Sequence, residues 1–68
     1  MKASSRNRLP GIVTDIRIEG LMAQVGLKVG DNHIVALISA EAAQELELKV
    51  GDQATAMIKA TSVMVIKV

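Results

Sequence analysis

The chain is organised around the run Leu9-Pro10-Gly11-Ile12-Val13-Thr14-Asp15-Ile16-Arg17-Ile18-Glu19. Apolar and hydroxyl side chains occupy its even positions from 12 to 18, and Asp15 and Arg17 fall between them. Such alternation is typical of a strand with one buried face. Pro10 has no N–H to donate, which favours a sheet margin or contact with another subunit. The run therefore predicts a first strand over residues 9–19.

Two further strand patterns follow and are joined by a turn signal. Residues 21–29 have apolar side chains at every odd position, which predicts a second strand. Gly30-Asp31-Asn32 has the composition of a hairpin turn, because Gly and Asn tolerate positive φ angles. Residues 33–38 are apolar on both faces. We therefore expect the third strand to be covered on one side by the core and on the other by a helix or a neighbouring subunit.

The second half of the chain adds one helix and two strands. Ser39 is an N-cap candidate, and residues 40–46 predict one or two helical turns with acids near their start. Residues 53–60 alternate, and residues 63–68 predict a fifth strand that is apolar on both faces. Five short strands with one small helix between the third and the fourth is the order of oligonucleotide/oligosaccharide-binding (OB) barrels. We predict an all-β fold, a five-stranded OB-like β-barrel with that helix.

Size and composition predict an oligomer. The chain has 68 residues, half of them apolar, and contains no Cys, Phe, Tyr or Trp. We expect residues 1–68 to form one domain, and a chain of this size buries only about 60% of its unfolded surface. Disulfides and thiolate metal sites are not available to stabilise it. Burial of the surplus apolar surface between subunits would stabilise the fold, which favours a homo-oligomer.

The charge and the apolar pattern exclude several classes of partner. A net charge of +1 is too balanced for a general phosphate-backbone binder, and there are no aromatic side chains to stack single-stranded bases. We therefore expect no nucleic-acid partner. The residues after Lys2 are polar up to Leu9, unlike a secretion signal, and no apolar run approaches the ~18 residues of a membrane helix. We expect a soluble, cytoplasmic protein with no membrane contact.

Catalytic patterns are absent from the sequence. The single histidine, His33, has no sequence neighbour that would make it a base or a metal ligand, and such a histidine is usually structural or exposed. The acids are scattered over turns and a helix surface, and the five glycines form no phosphate-binding loop. We expect no enzymatic activity, no cofactor and no directly coordinated metal ion.

Two segments concentrate hydrogen-bond donors. The N-terminal donor segment, residues 4–8, contains hydroxyls, an amide and two guanidinium groups, and the C-terminal donor segment is Lys59-Ala60-Thr61-Ser62. Arginine has five N–H donors and no acceptor, so such a cluster suits a partner that only accepts, such as an oxyanion. If the two segments meet in the fold or across subunits, they form an anion pocket. The alternative for each segment alone is a solvated loop or basic arm.

The chain resembles the molbindins, which are small molybdate-binding proteins. The run Ser4-Ser5-Arg6-Asn7-Arg8-Leu9-Pro10-Gly11-Ile12-Val13 is similar to their Ser-Ala-Arg-Asn-Gln-Leu-x-Gly-x-Val opening. The likeness continues through Ile38-Ser39, residues 48–51 and residues 58–64. It implies binding of molybdate or tungstate at interfaces between subunits of a hexamer, arranged as a trimer of dimers.

The same resemblance implies the site residues. Ser4 and Arg6 match the N-terminal contacts of the family, Lys59 and Ala60 match the C-terminal contacts, and Ser39 matches a hydroxyl before the helix. Ala42 falls where some relatives have a second serine, so that contact would be lost or replaced by a backbone N–H group. The oxyanion-binding residues that we predict are Ser4, Arg6, Ser39, Lys59, Ala60 and Thr61.

Two hypotheses on function follow. The first is a protein for molybdate storage, buffering or homeostasis. Molybdate is a tetrahedral dianion that only accepts hydrogen bonds, so a pocket of donors without carboxylates suits it. The second is an oligomerisation or ligand-sensing module whose bound anion mainly stabilises the assembly.

Overall fold

The computed structural model describes residues 6–68, and within them the fold is a curled sheet of four antiparallel strands with one short helix. In chain order the elements are β1 (Asn7–Glu19), β2 (Met22–Val29), β3 (Asn32–Ser39), α1 (Ala40–Glu45), β4 (Gln53–Ile58) and a 3-10 turn (Ala60–Ser62). The strand order is β3-β2-β1-β4, so β3 and β4 form the two edges. The prediction of an all-β fold with one helix between the third and fourth strands is confirmed.

Strand β1 pairs with both of its neighbours and carries the core. Its N-terminal half lies against β4 and its C-terminal half against β2. Val13 is 1% exposed and packs with Val25 and Leu27 of β2. These three side chains are the centre of the apolar cluster.

A β-bulge near Thr14 reverses the alternation of β1. Val13 pairs with Leu27 and Asp15 pairs with Gly26, so the register shifts between them. Before the bulge the odd positions face inward, and after it Ile16 does. The prediction that Ile12 and Ile16 share one face was therefore wrong, because an extra residue in one strand moves every later side chain to the opposite face.

The turns and the helix cap form as predicted. Gly30 has a φ of 59° between β2 and β3, which is the left-handed conformation that the hairpin signal anticipated. Ser39 caps α1, because its Oγ accepts a hydrogen bond from the Ala42 N–H at 3.0 Å. Ala43 is the buried residue of this helix, which packs against β2 and β3.

The fifth strand is not confirmed. Residues 63–68 belong to no strand of the described sheet, and Met64 and Ile66 are 92% and 85% exposed. The outward face of β3 is also uncovered, since Val35 and Leu37 are 55% and 67% exposed. An apolar pattern shows that a segment gains from burial, but it does not identify the surface that buries it. Neither segment is covered by the residues that the structure describes.

Two glycines allow a test of how closely the strands approach. A Cβ at Gly11 would lie against the Lys28 carbonyl oxygen and Val29 Cγ2, which belong to the neighbouring strand. Gly11→Ala is therefore expected to lower the free energy of unfolding by about 1–3 kcal/mol, as overpacking does. A Cβ at Gly26 would meet the Asp15 carboxylate, which is exposed and can rotate away, so Gly26→Ala should cost less. Urea unfolding of the two variants measures the difference, and equal losses would contradict it.

Candidate oxyanion site

The β1–β4 ladder brings the two donor segments together. Its first pair is Asn7 with Ile58. Arg6 directly precedes Asn7, and Lys59 directly follows Ile58, so the two cations are neighbours at the same end of the sheet. This register could not be read from the sequence, since the segments are 51 residues apart. Ser4, also predicted for the site, lies outside the described residues.

The cationic side chains lie on the outward side of this corner. Exposure along β1 alternates, with Asn7 and Leu9 partly buried and Arg6 and Arg8 exposed. Lys59 is exposed and has extended backbone angles, φ −62° and ψ 136°. Arg6 and Lys59 flank the last pair of the ladder, Asn7 with Ile58, and both are exposed. The corner therefore presents its positive charge to solvent in the single chain.

The 3-10 turn after Lys59 supplies backbone donors. Its hydrogen bonds run from the Ser62 N–H to the Lys59 carbonyl, at 2.8 Å, and from the Val63 N–H to the Ala60 carbonyl, at 3.4 Å. The N–H groups of Ala60 and Thr61 precede these bonds and take no part in the turn's own ladder. Ala60, which has no polar side chain, can therefore offer its backbone N–H as a donor.

No carboxylate accompanies these donors in the sequence. Residues 6–11 and 53–62 contain no Asp or Glu. Within residues 6–68, the contact between a basic side chain and a carboxylate joins His33 and Asp15, and it involves neither Arg6 nor Lys59. The corner is therefore electropositive and has donors without competing acceptor side chains.

Ser39 lies elsewhere in the single chain. It pairs with Met22, which in turn pairs with Glu19 at the C-terminal end of β1. Arg6 and Lys59 lie at the N-terminal end of the same 13-residue strand. The structure thus brings Arg6, Lys59, Ala60 and Thr61 together and leaves Ser39 apart from them.

At the start of α1, the Ser39 hydroxyl is still able to donate a hydrogen bond, whereas the Ala42 N–H already donates one. The Ser39 Oγ accepts from the Ala42 N–H, and its own O–H remains able to donate to a ligand. The Ala42 N–H is occupied by that cap. A backbone N–H group that replaces the missing serine contact would therefore have to be a different one at the helix start, because the Ala42 N–H already has a partner.

Sequence analysis missed a polar cluster around His33. Thr14 Oγ1 lies 3.0 Å from Asp15 Oδ1 and 3.3 Å from His33 Nε2, and His33 Nε2 lies 3.8 Å from Asp15 Oδ1. The bulge in β1 and the Cβ-free surface of Gly26 let these groups meet. Among the described residues there is no group of three or more His, Cys, Asp or Glu side chains that could hold a metal ion.

Comparison with known proteins identifies the family. The TOBE domain model matches residues 3–65. Over 66 residues the chain is 44% identical to a probable molybdenum-pterin-binding protein of Haemophilus influenzae, and 96% of each chain is covered. The chain belongs to the molbindin family of TOBE domains. The resemblance seen in the sequence is thereby confirmed. This molbindin is also 40% identical over 65 residues to the molybdenum transport protein ModE of Azotobacter vinelandii. That alignment covers 94% of this chain but only 24% of ModE.

Solved structures share the fold. A molybdate binding protein from Sporomusa ovata aligns with a TM-score of 0.95 at 36% identity, covering 98% of this molbindin and all of that chain. The cytoplasmic molybdate-binding protein ModG, in a form with molybdate bound, aligns with a TM-score of 0.83 at 38% identity. That alignment covers 88% of this molbindin and 43% of ModG. In residues 6–68 of this molbindin, no helix is long and apolar enough to cross a membrane.

Proposed function

We propose that this molbindin is a cytoplasmic molybdate-binding protein that stores or buffers the anion and does not catalyse a reaction. The observation that carries the proposal is the corner where Arg6 and the Lys59–Thr61 backbone meet without a carboxylate. The names of its relatives, which are molybdenum and molybdate binders, support the choice of ligand. The cytoplasmic description of ModG supports the location.

The chemistry of the corner favours molybdate or tungstate over phosphate. Molybdate near pH 7 is a dianion that only accepts hydrogen bonds, so cations, hydroxyls and N–H groups complement all of its oxygens. Phosphate is partly protonated at that pH and gains from an acceptor, which Arg6 and Lys59 do not offer. Sulfate has the same charge as molybdate and is smaller, so its exclusion depends on the size of the assembled pocket.

The proposed site is completed between subunits. Arg6 and Lys59 are exposed in the single chain, and Ser39 is at the far end of β1. We infer that Ser39 of a neighbouring copy reaches the corner and that Ser4 also contributes to the site. The six predicted contacts are then Ser4, Arg6, Ser39, Lys59, Ala60 and Thr61. No cofactor and no directly coordinated metal ion is part of the proposal.

The proposed assembly is a hexamer, a trimer of dimers, in which the barrel gains its fifth strand. Residues 63–68 are exposed and, apart from Lys67, apolar, and β3 and β4 are the edge strands of the described sheet. Pairing of this segment with another copy would bury its side chains and satisfy its backbone groups. We propose that residues 1–68 form one domain and that its partners are copies of itself, with no nucleic acid and no membrane.

Native mass spectrometry with added oxyanions tests the proposed function. We expect an assembly that gains several molybdates or tungstates and no sulfate at equal concentration. Phosphate serves as a second control, because it shares the tetrahedral shape and differs in protonation. Uptake of none of these anions by a correctly assembled protein would overturn the proposal.

A second candidate function is an assembly module in which the anion chiefly stabilises subunit contacts. The exposure of every described site residue in the single chain favours it, because the pocket would then exist only in the oligomer. Molybdate would raise the melting temperature and shift the oligomer to lower concentrations. Equal stability and equal size with and without molybdate would exclude this role.

Substitutions of Ser39 separate its two roles. Ser39→Ala removes the cap, which is expected to cost about 0.5–2 kcal/mol of stability, and also weakens molybdate binding. Ser39→Asp keeps a good cap but adds a negative charge to the site, so stability stays near that of the parent while binding is lost. Thermal unfolding and calorimetric titration measure the two effects. Asn32→Asp, at the other end of β3, is the charge-matched control, and normal binding by Ser39→Asp would restrict Ser39 to capping.

A further inference from the structure

Asn7 is a polar residue in an inward-facing row. In the N-terminal half of β1, Asn7, Leu9 and Gly11 are partly buried and Val13 is fully buried, while the residues between them are exposed. A side-chain amide in such a row costs free energy unless it is hydrogen-bonded. The position therefore calls for a specific partner, and the structure supplies one.

The partner of Asn7 lies at the end of β4. Asn7 Nδ2 donates to the Ile58 carbonyl oxygen at 3.1 Å, and the backbones of these two residues also pair. Ile58 is the last residue of β4. The ends of a ladder open more easily than its middle, so a side-chain bond at the last pair restrains the part that would otherwise fray.

This bond lies directly before the C-terminal donors in the chain. Lys59 follows Ile58 directly, and its carbonyl accepts the Ser62 N–H that forms the 3-10 turn. The positions of the Ala60 and Thr61 N–H groups therefore depend on the end of β4. In the absence of an anion, repulsion between Arg6 and Lys59 opposes their being held side by side.

We propose that Asn7 is a positioning residue for the oxyanion site. Its amide holds the end of β4 beside the start of β1 before the ligand arrives, so that binding does not have to order these donors. Such pre-organisation raises affinity without a contact to the ligand. The inference rests on the proposed function, since it concerns the affinity of that site.

Asn7→Leu tests the inference in the full-length protein. Leucine has the same branching and the same number of side-chain heavy atoms as asparagine and suits an inward-facing position, so the variant should fold with equal or higher thermal stability while lacking the donor. Gln53→Ala is the matched control, because it removes an exposed amide from the other end of the same ladder. Molybdate affinity is measured by calorimetry, and backbone order at Ala60, Thr61 and Ser62 is measured by ¹⁵N relaxation without ligand.

We expect Asn7→Leu to lose roughly three- to tenfold in molybdate affinity, the usual effect of one hydrogen bond. Backbone order at the turn should fall while the melting temperature does not, a combination that a merely structural residue would not give. Parental affinity in Asn7→Leu would overturn the inference. Absence of binding in the parent protein would instead refute the proposed function, and unchanged order at the turn would then still exclude a positioning role.

Discussion

Arg6→Ala is expected to weaken molybdate binding by about 2–5 kcal/mol, the cost of removing one partner from a desolvated charge pair. The guanidinium is exposed in the single chain and sits beside Lys59 at a corner without carboxylates. In the proposed assembly the corner is covered, so the anion loses its water and depends on the donors that remain. Isothermal titration calorimetry at fixed ionic strength measures the loss.

Two variants make the Arg6 result specific. Arg17→Ala removes an exposed guanidinium from the C-terminal half of the same strand, and it should leave the affinity unchanged. Arg6→Lys keeps the charge but not the two-pronged donor geometry, so its affinity should lie between those of the parent and Arg6→Ala. Equal losses in Arg17→Ala and Arg6→Ala would show a general charge effect and remove Arg6 from the site.

Local features of the fold could be predicted because local chemistry decides them. The hairpin at residues 30–32 follows from the φ angles that Gly accepts, and the cap at Ser39 follows from its hydroxyl and the helix after it. The bulge in β1 could not be predicted in this way. It places Asp15 beside Gly26 of the next strand, which has no Cβ to meet the carboxylate. A contact across strands has no signature within either strand.

The candidate site, like the fold, has features that residue types predict and features that depend on how the strands pair. The donor chemistry of Arg6 and Lys59 could be read from residue types, since arginine and lysine donate and do not accept. Their meeting could not, because it depends on the antiparallel register of β1 and β4. The role of Asn7 did leave a signal, as an amide at an inward position of an alternating strand. That signal can be interpreted only when it is known which residues of the strand face inward.

Ile66→Asp is expected to break the assembly into smaller species. The Ile66 side chain is 85% exposed in the single chain, and in the proposed hexamer it is buried in the fifth strand. Burial of one such side chain contributes about 1.5–3 kcal/mol, and a carboxylate at that position adds the cost of an unpaired buried charge. Analytical ultracentrifugation over a range of concentrations measures the change in mass.

Lys67→Asp provides the control for charge at the next residue. A strand has two faces, so the side chains of neighbouring residues point in opposite directions. Lys67 suits the solvent-exposed face. Lys67→Asp should therefore keep the assembly, while Ile66→Asp loses it and loses molybdate binding with it. That joint loss follows from the separation of Ser39 and Lys59 within one chain, since a pocket shared between subunits cannot outlast their contact. An Ile66→Asp protein that retains the parental mass would show that residues 63–68 do not hold the subunits together.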